Sequence, residues 1–463
     1  MSHRVVLAAA ATLSVCLVLS VSGEDPRSPP ATAPAPQAKA PASEVTSPPP
    51  GVKAPAGPYW PQFNGPRGDN RSPDTGLLRS WPADGPRLLW NYESCGYGYS
   101  SVAIADGMIF TAGDFEDEVK VIALDMSGKL LWTAKNGKAW KTPWPGTRST
   151  PTWNDGLVYH LGAFGRLAAY EARTGKPVWN VMLECEGLSQ GGYAESVVID
   201  GNNLICMPGS EKEFIVALDK KTGKKVWVSN FAKTDWDRAS YVSPLLVDYN
   251  GRRHIIHMSL FWLMCLDAKT GKVEWQVRHK IGPEHCEVVA VSPVWCDGRV
   301  FMTKGYEMGS KMFAIGPSGT SVTKLWEHRA SDSEHAAAIA HNGCIFVPGN
   351  YVYPLGGWRE KEAKEGSLYC LDMATGKERW VAKTGRCTLT YADGRIYALN
   401  EFGKVFLIEA TPEKFNVVGE LQIPRNTQVW ALTLTHPVVV GGRMYVRDHD
   451  QLHVYDVKGR GTP

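Results

Sequence analysis

One phrase recurs along the chain and restricts what it can fold into. Residues 169–179 read AYEARTGKPVW, 217–227 ALDKKTGKKVW, 265–275 CLDAKTGKVEW and 370–380 CLDMATGKERW. A shorter variant, ALDMSGKLLW, covers 123–132, and a longer one, AIGPSGTSVTKLW, covers 314–326. The closing residues Trp90, Trp132, Trp179, Trp227, Trp275, Trp326 and Trp380 are spaced by 42, 47, 48, 48, 51 and 54 residues. A degenerate copy follows with Val417–Val418 in the tryptophan's place. Before each phrase comes a second pattern of apolar strand, Asp-Gly-like turn and apolar strand, as in SVAIADGMIFTAG at 101–113 and TLTYADGRIYALN at 388–400. Each unit thus holds four short strands, and no helical period competes. Repeats of about 40–50 residues with four strands each signify propeller blades.

The phrase has a physical logic. Thr-Gly makes the tight turn between third and fourth strands, because Gly tolerates positive φ. The tryptophan then points into the seam between blades, and the small residue opening the phrase, Ala169 or Ala217, is expected to leave room for a neighbour's indole. Sets of three inner strands begin near residues 101, 149, 194, 240, 289, 334, 385 and 431. The first outer strand, Leu88–Tyr92, precedes all of them, and the last inner set has no outer strand after it. The pattern predicts an all-β, eight-bladed propeller of four-stranded antiparallel blades, its last blade closed by the N-terminal strand so that no edge stays open.

Outside the repeat, residues 1–23 read as an export signal: His3 and Arg4 open it, Val5–Ser22 is apolar or small, and Val21-Ser22-Gly23 suits a peptidase. An uncleaved membrane anchor is the other reading, and it would tether the chain to the membrane. A lipidation site at Cys16 is disfavoured by the bulky Val15 before it. Residues 24–58 contain 11 of the 31 prolines and almost no large apolar side chains, so they predict an extended linker. The propeller then occupies 59–463, and the expected location is periplasmic or otherwise extracytoplasmic. Beyond the signal, 49 Lys and Arg face 47 Asp and Glu, a balance with no electrostatic footprint for nucleic acid. Ten cysteines are present, nine after the signal, with no Cys-x-x-Cys-His for covalent haem. Cys206, Cys265 and Cys370 fall in apolar strand patterns and read as small buried side chains.

The A-L-D-x-x-T-G-K-x-x-W phrase resembles the tryptophan-docking repeat of pyrroloquinoline-quinone-type propellers, over roughly residues 60–457. That family includes quinoprotein alcohol dehydrogenases and a lipoprotein propeller of outer-membrane protein assembly. The whole chain is still more similar to exported quinone-like repeat proteins. It shares with them WPQFNGPRGDN at 60–70, GYAESVVIDG at 192–201, TYADGRIYAL at 390–399, IEATPEKF at 408–415 and HPVVVGGRMYVRDHDQLHVYDVKG at 436–459. The resemblance implies a binding or scaffold module of the cell envelope, whose partner is a small molecule or an envelope protein. The alternative it implies is a quinoprotein oxidoreductase of alcohols or sugars, with pyrroloquinoline quinone and calcium over the channel. Such enzymes use a Glu/Asn/Asp calcium set, a catalytic Asp and often an adjacent Cys pair. This chain has no adjacent Cys pair, and no Asp-x-Asp or calcium triad aligns convincingly, so no catalytic residue or metal ligand is assigned. A carbohydrate-cleaving propeller would need facing carboxylates, for which Glu195 and Glu287 are the candidates.

In a propeller the fourth strand of each blade leads into the next blade's first strand across one face, where the second-to-third loops also lie. Residues just before each first strand therefore ring the channel mouth. Repeat register places Arg148, Tyr193, Glu195, Tyr241, Glu287, His335, Arg386 and His436 there as candidate ligand-binding groups. Glu195 reads either as a ligand group or as an ion-pair partner of Arg148. Arg148 and Arg386 suit an anionic ligand or a fork onto carboxylates. His335 and His436 read as metal ligands or as caps on buried backbone, and Glu287 as a calcium-type carboxylate. Two rims flank the mouth: 136–148 with Trp140 and Trp144, and 349–366 with Tyr351, Tyr353 and Trp358.

Overall fold

The computed structural model describes residues 57–459 apart from 143, 186–190, 230–236, 280–287, 306–307, 350–365 and 426–431. Thirty-two strands in these residues form eight four-stranded antiparallel sheets. Seven sheets are consecutive in sequence, spanning 103–138, 152–182, 198–229, 245–278, 294–328, 339–383 and 387–422. The eighth combines Val438–Val440, Arg443–Asp448 and Gln451–Asp456 with Arg87–Tyr92, which pairs antiparallel to the last strand. This is the eight-bladed propeller closed by its N-terminal strand.

Two turn chemistries recur around the ring. In six blades the first and second strands are joined by an Asp-Gly or Asn-Gly pair with both φ values positive, as at Asp155 (49°) and Gly156 (76°), the mirror-image turn that matches strand twist. The repeat phrase supplies the other turn, and its Asp is part of it. Asp219 Oδ1 accepts from Thr222 N (2.9 Å) and Thr222 Oγ1 (2.8 Å), and Asp267 and Asp372 hold Thr270 and Thr375 in the same way. These hydroxyl bonds hold the exposed Asp219 carboxyl below its ordinary value.

The turn glycine also serves the neighbouring blade. The Trp179 indole lies over Gly223 of the next blade and Trp227 over Gly271; a Cβ there would sit 2.7 and 2.4 Å from the rings. Trp132, Trp179, Trp326 and Trp380 each donate Nε1–H to a carbonyl of the following blade at 2.9–3.1 Å. The small residue opening the phrase has a different job from the one expected. Ala169 lies opposite Trp179 and Ala217 opposite Trp227 in the same blade, so it makes room for its own indole. Room for the neighbour's indole comes from the glycine. Cys206, Cys265 and Cys370 are buried within the sheets.

Before the closing strand, the chain crosses the face formed by the first-to-second turns. Trp60 exchanges backbone hydrogen bonds with Ile104 (2.7 Å each way), and Trp153 N donates to Pro61 O (2.7 Å). Farther on, Ser72 N and Tyr391 N bond to Tyr391 O and Asn70 O (2.8 and 2.9 Å), and Leu78 N bonds to Val457 O (2.9 Å). Between these anchors, Asn64 and Gly65 turn the chain with positive φ and drop Phe63 into the axis, 4.9 Å from the His436 ring. Phe63 and Asn64 thereby close the lower channel. The cavities left beside them measure about 10 and 20 Å³, room for about one water each.

Two glycines separate docking from backbone conformation. Gly271 (φ 71°) lies under Trp227, whereas Gly251 (φ 76°) has nothing within 4 Å of its would-be Cβ. Gly251→Ala should cost about 1 kcal/mol and Gly271→Ala about 2–4 kcal/mol, the excess arising from the displaced indole. Equal losses in chemical denaturation would show that the glycine's contact with the indole contributes nothing.

Candidate functional site

The face opposite the Phe63 plug carries the channel mouth. Here the chain before each first strand is held to its neighbour by short polar side chains: Ser101 N donates to Thr150 Oγ1, Thr150 N to Ser196 Oγ and Ser196 N to Ser243 Oγ, at 2.9, 2.8 and 3.1 Å. These hydroxyls form a blade-to-blade lacing that satisfies backbone amides.

The two arginines of the mouth differ. Arg386 is buried and forks onto two acids, Nε to Glu401 (2.7 Å) and Nη1 to Glu334 (3.1 Å). Burial lifts the Glu401 carboxyl above its ordinary range, and the neighbouring Glu334 adds to the rise. Arg148 is half-buried and bonds only to carbonyls: Nη1 to Gly146 O (2.8 Å) and Gly191 O (3.2 Å), Nη2 to Trp144 O (2.9 Å). Its guanidinium carbon lies 5.1 Å from the centre of the Tyr99 ring and 6.0 Å from that of Tyr241. Tyr241 is in turn fixed by accepting Gly191 N at its hydroxyl (2.7 Å).

Glu195 is fully buried and does not pair with Arg148. Its Oε2 accepts Met207 N (2.8 Å), and its Oε1 faces His257 Nε2 at 3.7 Å. Both of those facing atoms are buried without a hydrogen-bond partner. Burial raises the Glu195 carboxyl, and His257 opposes the rise. The ion-pair reading therefore changes partner, from a guanidinium to an imidazole in the next blade. Tyr193 sits away from the opening, buried in the cluster of Leu161, Leu183, Val197 and Cys206, with its hydroxyl donating to Pro208 O. His335 and His436 line the lower cavity with Phe63. Desolvation holds them at about 4 and about 3, so both are neutral at pH 7. His436 is wedged between Phe63 and Trp60 and packs as an aromatic ring. Glu287 and the rim aromatics Tyr351, Tyr353 and Trp358 lie outside the described residues. Of the first rim, Trp140 packs on Phe164 (5.3 Å between ring centres), while Trp144 is 43 % exposed with φ 54°.

Tyr97, His449 and Arg447 of the mouth were not singled out by register. Tyr97 stacks on His449 (4.9 Å, 7°) beside Tyr99. Their signal was the GYGY run at 96–99: Gly98 has no room for a Cβ, which would lie 2.4 Å from Thr147 O. Arg447 is fully buried and donates to carbonyls of Cys95, Gly96, Ala112 and His449, clamping the last blade to the first. Nothing in the local sequence marks it.

A calcium or quinone cradle would need convergent oxygen donors at the mouth. Among the described residues, Glu334 and Glu401 share Arg386, Asp448 holds Arg425 and Thr433, and Asp114 takes Thr147, whereas the buried Oδ1 of Asp450 has no hydrogen-bond partner. These residues do not fit a calcium cradle. One group with metal-ligand spacing, His254, Cys265 and Glu274, lies within a single blade. Arg252 already neutralises Glu274, and burial keeps the Cys265 thiol protonated.

A family model described as outer membrane protein assembly factor BamB matches residues 117–382. Among solved structures, BamB from Moraxella catarrhalis superposes with a TM-score of 0.58 at 14% identity, covering 81% of this chain and 99% of that one. The quinohemoprotein alcohol dehydrogenase of Comamonas testosteroni gives 0.60 at 14% identity, covering 88% of this chain and 81% of that one. The corresponding enzyme ADHIIG of Pseudomonas putida HK5 gives 0.60 at 13%, covering 87% and 81%. Such identities show a shared fold. No curated protein matches by sequence.

Arg386→Gln should destabilise the protein by about 3–5 kcal/mol, because it leaves two carboxylates without their shared cation; a loss under about 1 kcal/mol in urea titration would refute that account. Glu195→Gln tests the buried acid. A carboxyl raised by burial contributes stability that is present below its ordinary value of 4.5 and lost as pH rises through its folded value. Gln cannot ionise, so the Tm difference should move in favour of the variant as pH rises above 4.5. A difference that stays constant from pH 4 to 9 would mean that burial does not shift Glu195.

Proposed function

The chain belongs to the family described as outer membrane protein assembly factor BamB, and on that premise we propose that it is an exported scaffold or binding module of the cell envelope. Residues 1–23 direct export, and 24–58 form the linker that lets the propeller reach its partner. The observation that carries this reading is the charge pairing at the mouth. Acid–base or calcium-assisted chemistry needs carboxylates that point at a substrate or ion, and Glu334, Glu401, Asp448, Asp114 and Glu195 point at Arg386, Arg425, Thr147 and Met207 N instead. With Phe63 in the channel and the two cavities beside it each holding about one water, a partner is met on the surface of the mouth.

The test is site-specific photocrosslinking in cells, with the photoreactive residue placed at Trp144 or at Asn250 on the opposite face. A crosslinked envelope protein at Trp144 and none at Asn250 is the expected outcome, and deletion of residues 1–23 should abolish it by blocking export. Purified protein is then mixed with pyrroloquinoline quinone and calcium. Quinone- and calcium-dependent oxidation of an alcohol or sugar would replace the scaffold reading with an oxidoreductase.

A further inference from the structure

We propose that the sector of the mouth around Arg148 binds a carboxylate carried by an acidic, aromatic-bearing peptide segment of a partner protein. This rests on the binding-module reading and names the chemistry of its ligand. Arg386 and Arg425 at the mouth each have acids within 3.1 Å, but among the described residues Arg148 has none within ion-pair distance. Asp114, whose ionisation Arg148 favours, takes its hydrogen bond from Thr147 instead. Arg447 also bonds only to backbone carbonyls and Thr111, but it is wholly enclosed and serves the blade seam. Arg148 is half-exposed, so its charge is presented to solvent while three carbonyls fix its plane.

A held, half-desolvated guanidinium with no acid within ion-pair distance among the described residues is the arrangement that forks onto a carboxylate. Its surroundings favour an aromatic or apolar body beside that carboxylate. Tyr99 and Tyr241 flank it, and Trp144, whose carbonyl it holds, is an exposed indole on a left-handed backbone (φ 54°). A bulky residue in that region is strained, and such strain concentrates at ligand clamps. The fold also protects the arrangement: a Cβ at Gly191 would lie 2.6 Å from the guanidinium carbon. The two cavities beside Phe63 hold about one water each, which favours a surface segment over an enclosed small molecule as the ligand.

Three fluorescein-labelled probes test this by anisotropy: a twelve-residue peptide alternating Glu and Tyr with an amidated end, the same peptide with Gln for Glu, and that Gln peptide with a free C-terminal carboxylate. The wild type should bind a carboxylate probe at least about tenfold tighter than the neutral one, and more weakly as salt rises. The first and third probes tell side-chain from chain-end carboxylates. Arg148→Gln should remove that preference with Tm nearly unchanged, Arg148→Lys should restore only part of it, and Arg173→Gln on the opposite face should alter nothing. Where Arg148→Gln does not fold, Arg148→Lys and Gly191→Ala, which moves the guanidinium, carry the test. Equal affinity for acidic and neutral probes, no binding of either carboxylate probe, or binding indifferent to every Arg148 variant would overturn the inference. A partner crosslinked at Trp144 whose capture ignores Arg148 overturns this inference alone and leaves the binding-module reading standing.

Discussion

The structure depends on one contact repeated around a ring: the indole of an outer strand lying on the turn glycine of the next blade. The contact needs a residue without a side chain, because Trp227 leaves no space for a Cβ at Gly271. It needs the turn to be held at the right height, which the Asp–Thr bonds of the repeat phrase do. A carbonyl for the indole N–H adds to the contact at Trp132 and Trp179, at 2.9 Å. The glycine, the Asp–Thr pair and the tryptophan each appear as letters of the phrase, and so the phrase recurs with so little variation. Docking fixes the blade-to-blade angle, and repetition of that angle closes the circle.

Closure and plugging are tasks of one continuous stretch. Residues 60–81 run across the turn face, anchored to Ile104, Trp153, Tyr391 and Val457, and the strand Arg87–Tyr92 then completes the last blade. The stretch joins blades far apart in sequence, so it acts as a tie across the ring as well as its final strand. Filling the axis with Phe63 turns the channel into a floor. A ligand entering the axis would come from the mouth, where the backbone lacing and the Arg386 triad line the rim.

Within that rim, charge is unevenly resolved. On one side, Arg386 is balanced by Glu334 and Glu401 in low-dielectric surroundings, where removing any member is costly. On the other, Arg148 keeps its charge against backbone dipoles and tyrosine faces. A structural arginine and a presented one thus occupy equivalent positions of two blades, which repeat symmetry alone cannot distinguish.

The sequence by itself determined the blade count, the strand order and the closing strand. Those follow from local periodicity: a strand pattern of period 2, turn residues with positive φ, and a tryptophan every 42–54 residues. It also placed Arg148, Glu195, Tyr241 and Arg386 before their first strands. Tertiary structure alone decided what each of them meets. Glu195 finds His257 because a neighbouring blade brings it there, 62 residues away in sequence. His436 became packing because a loop from residue 63 enters the axis. Arg447 became a clamp because the ring closes on the first blade. Such contacts cross blades, and their strength depends on burial and distance, neither of which a one-dimensional period encodes.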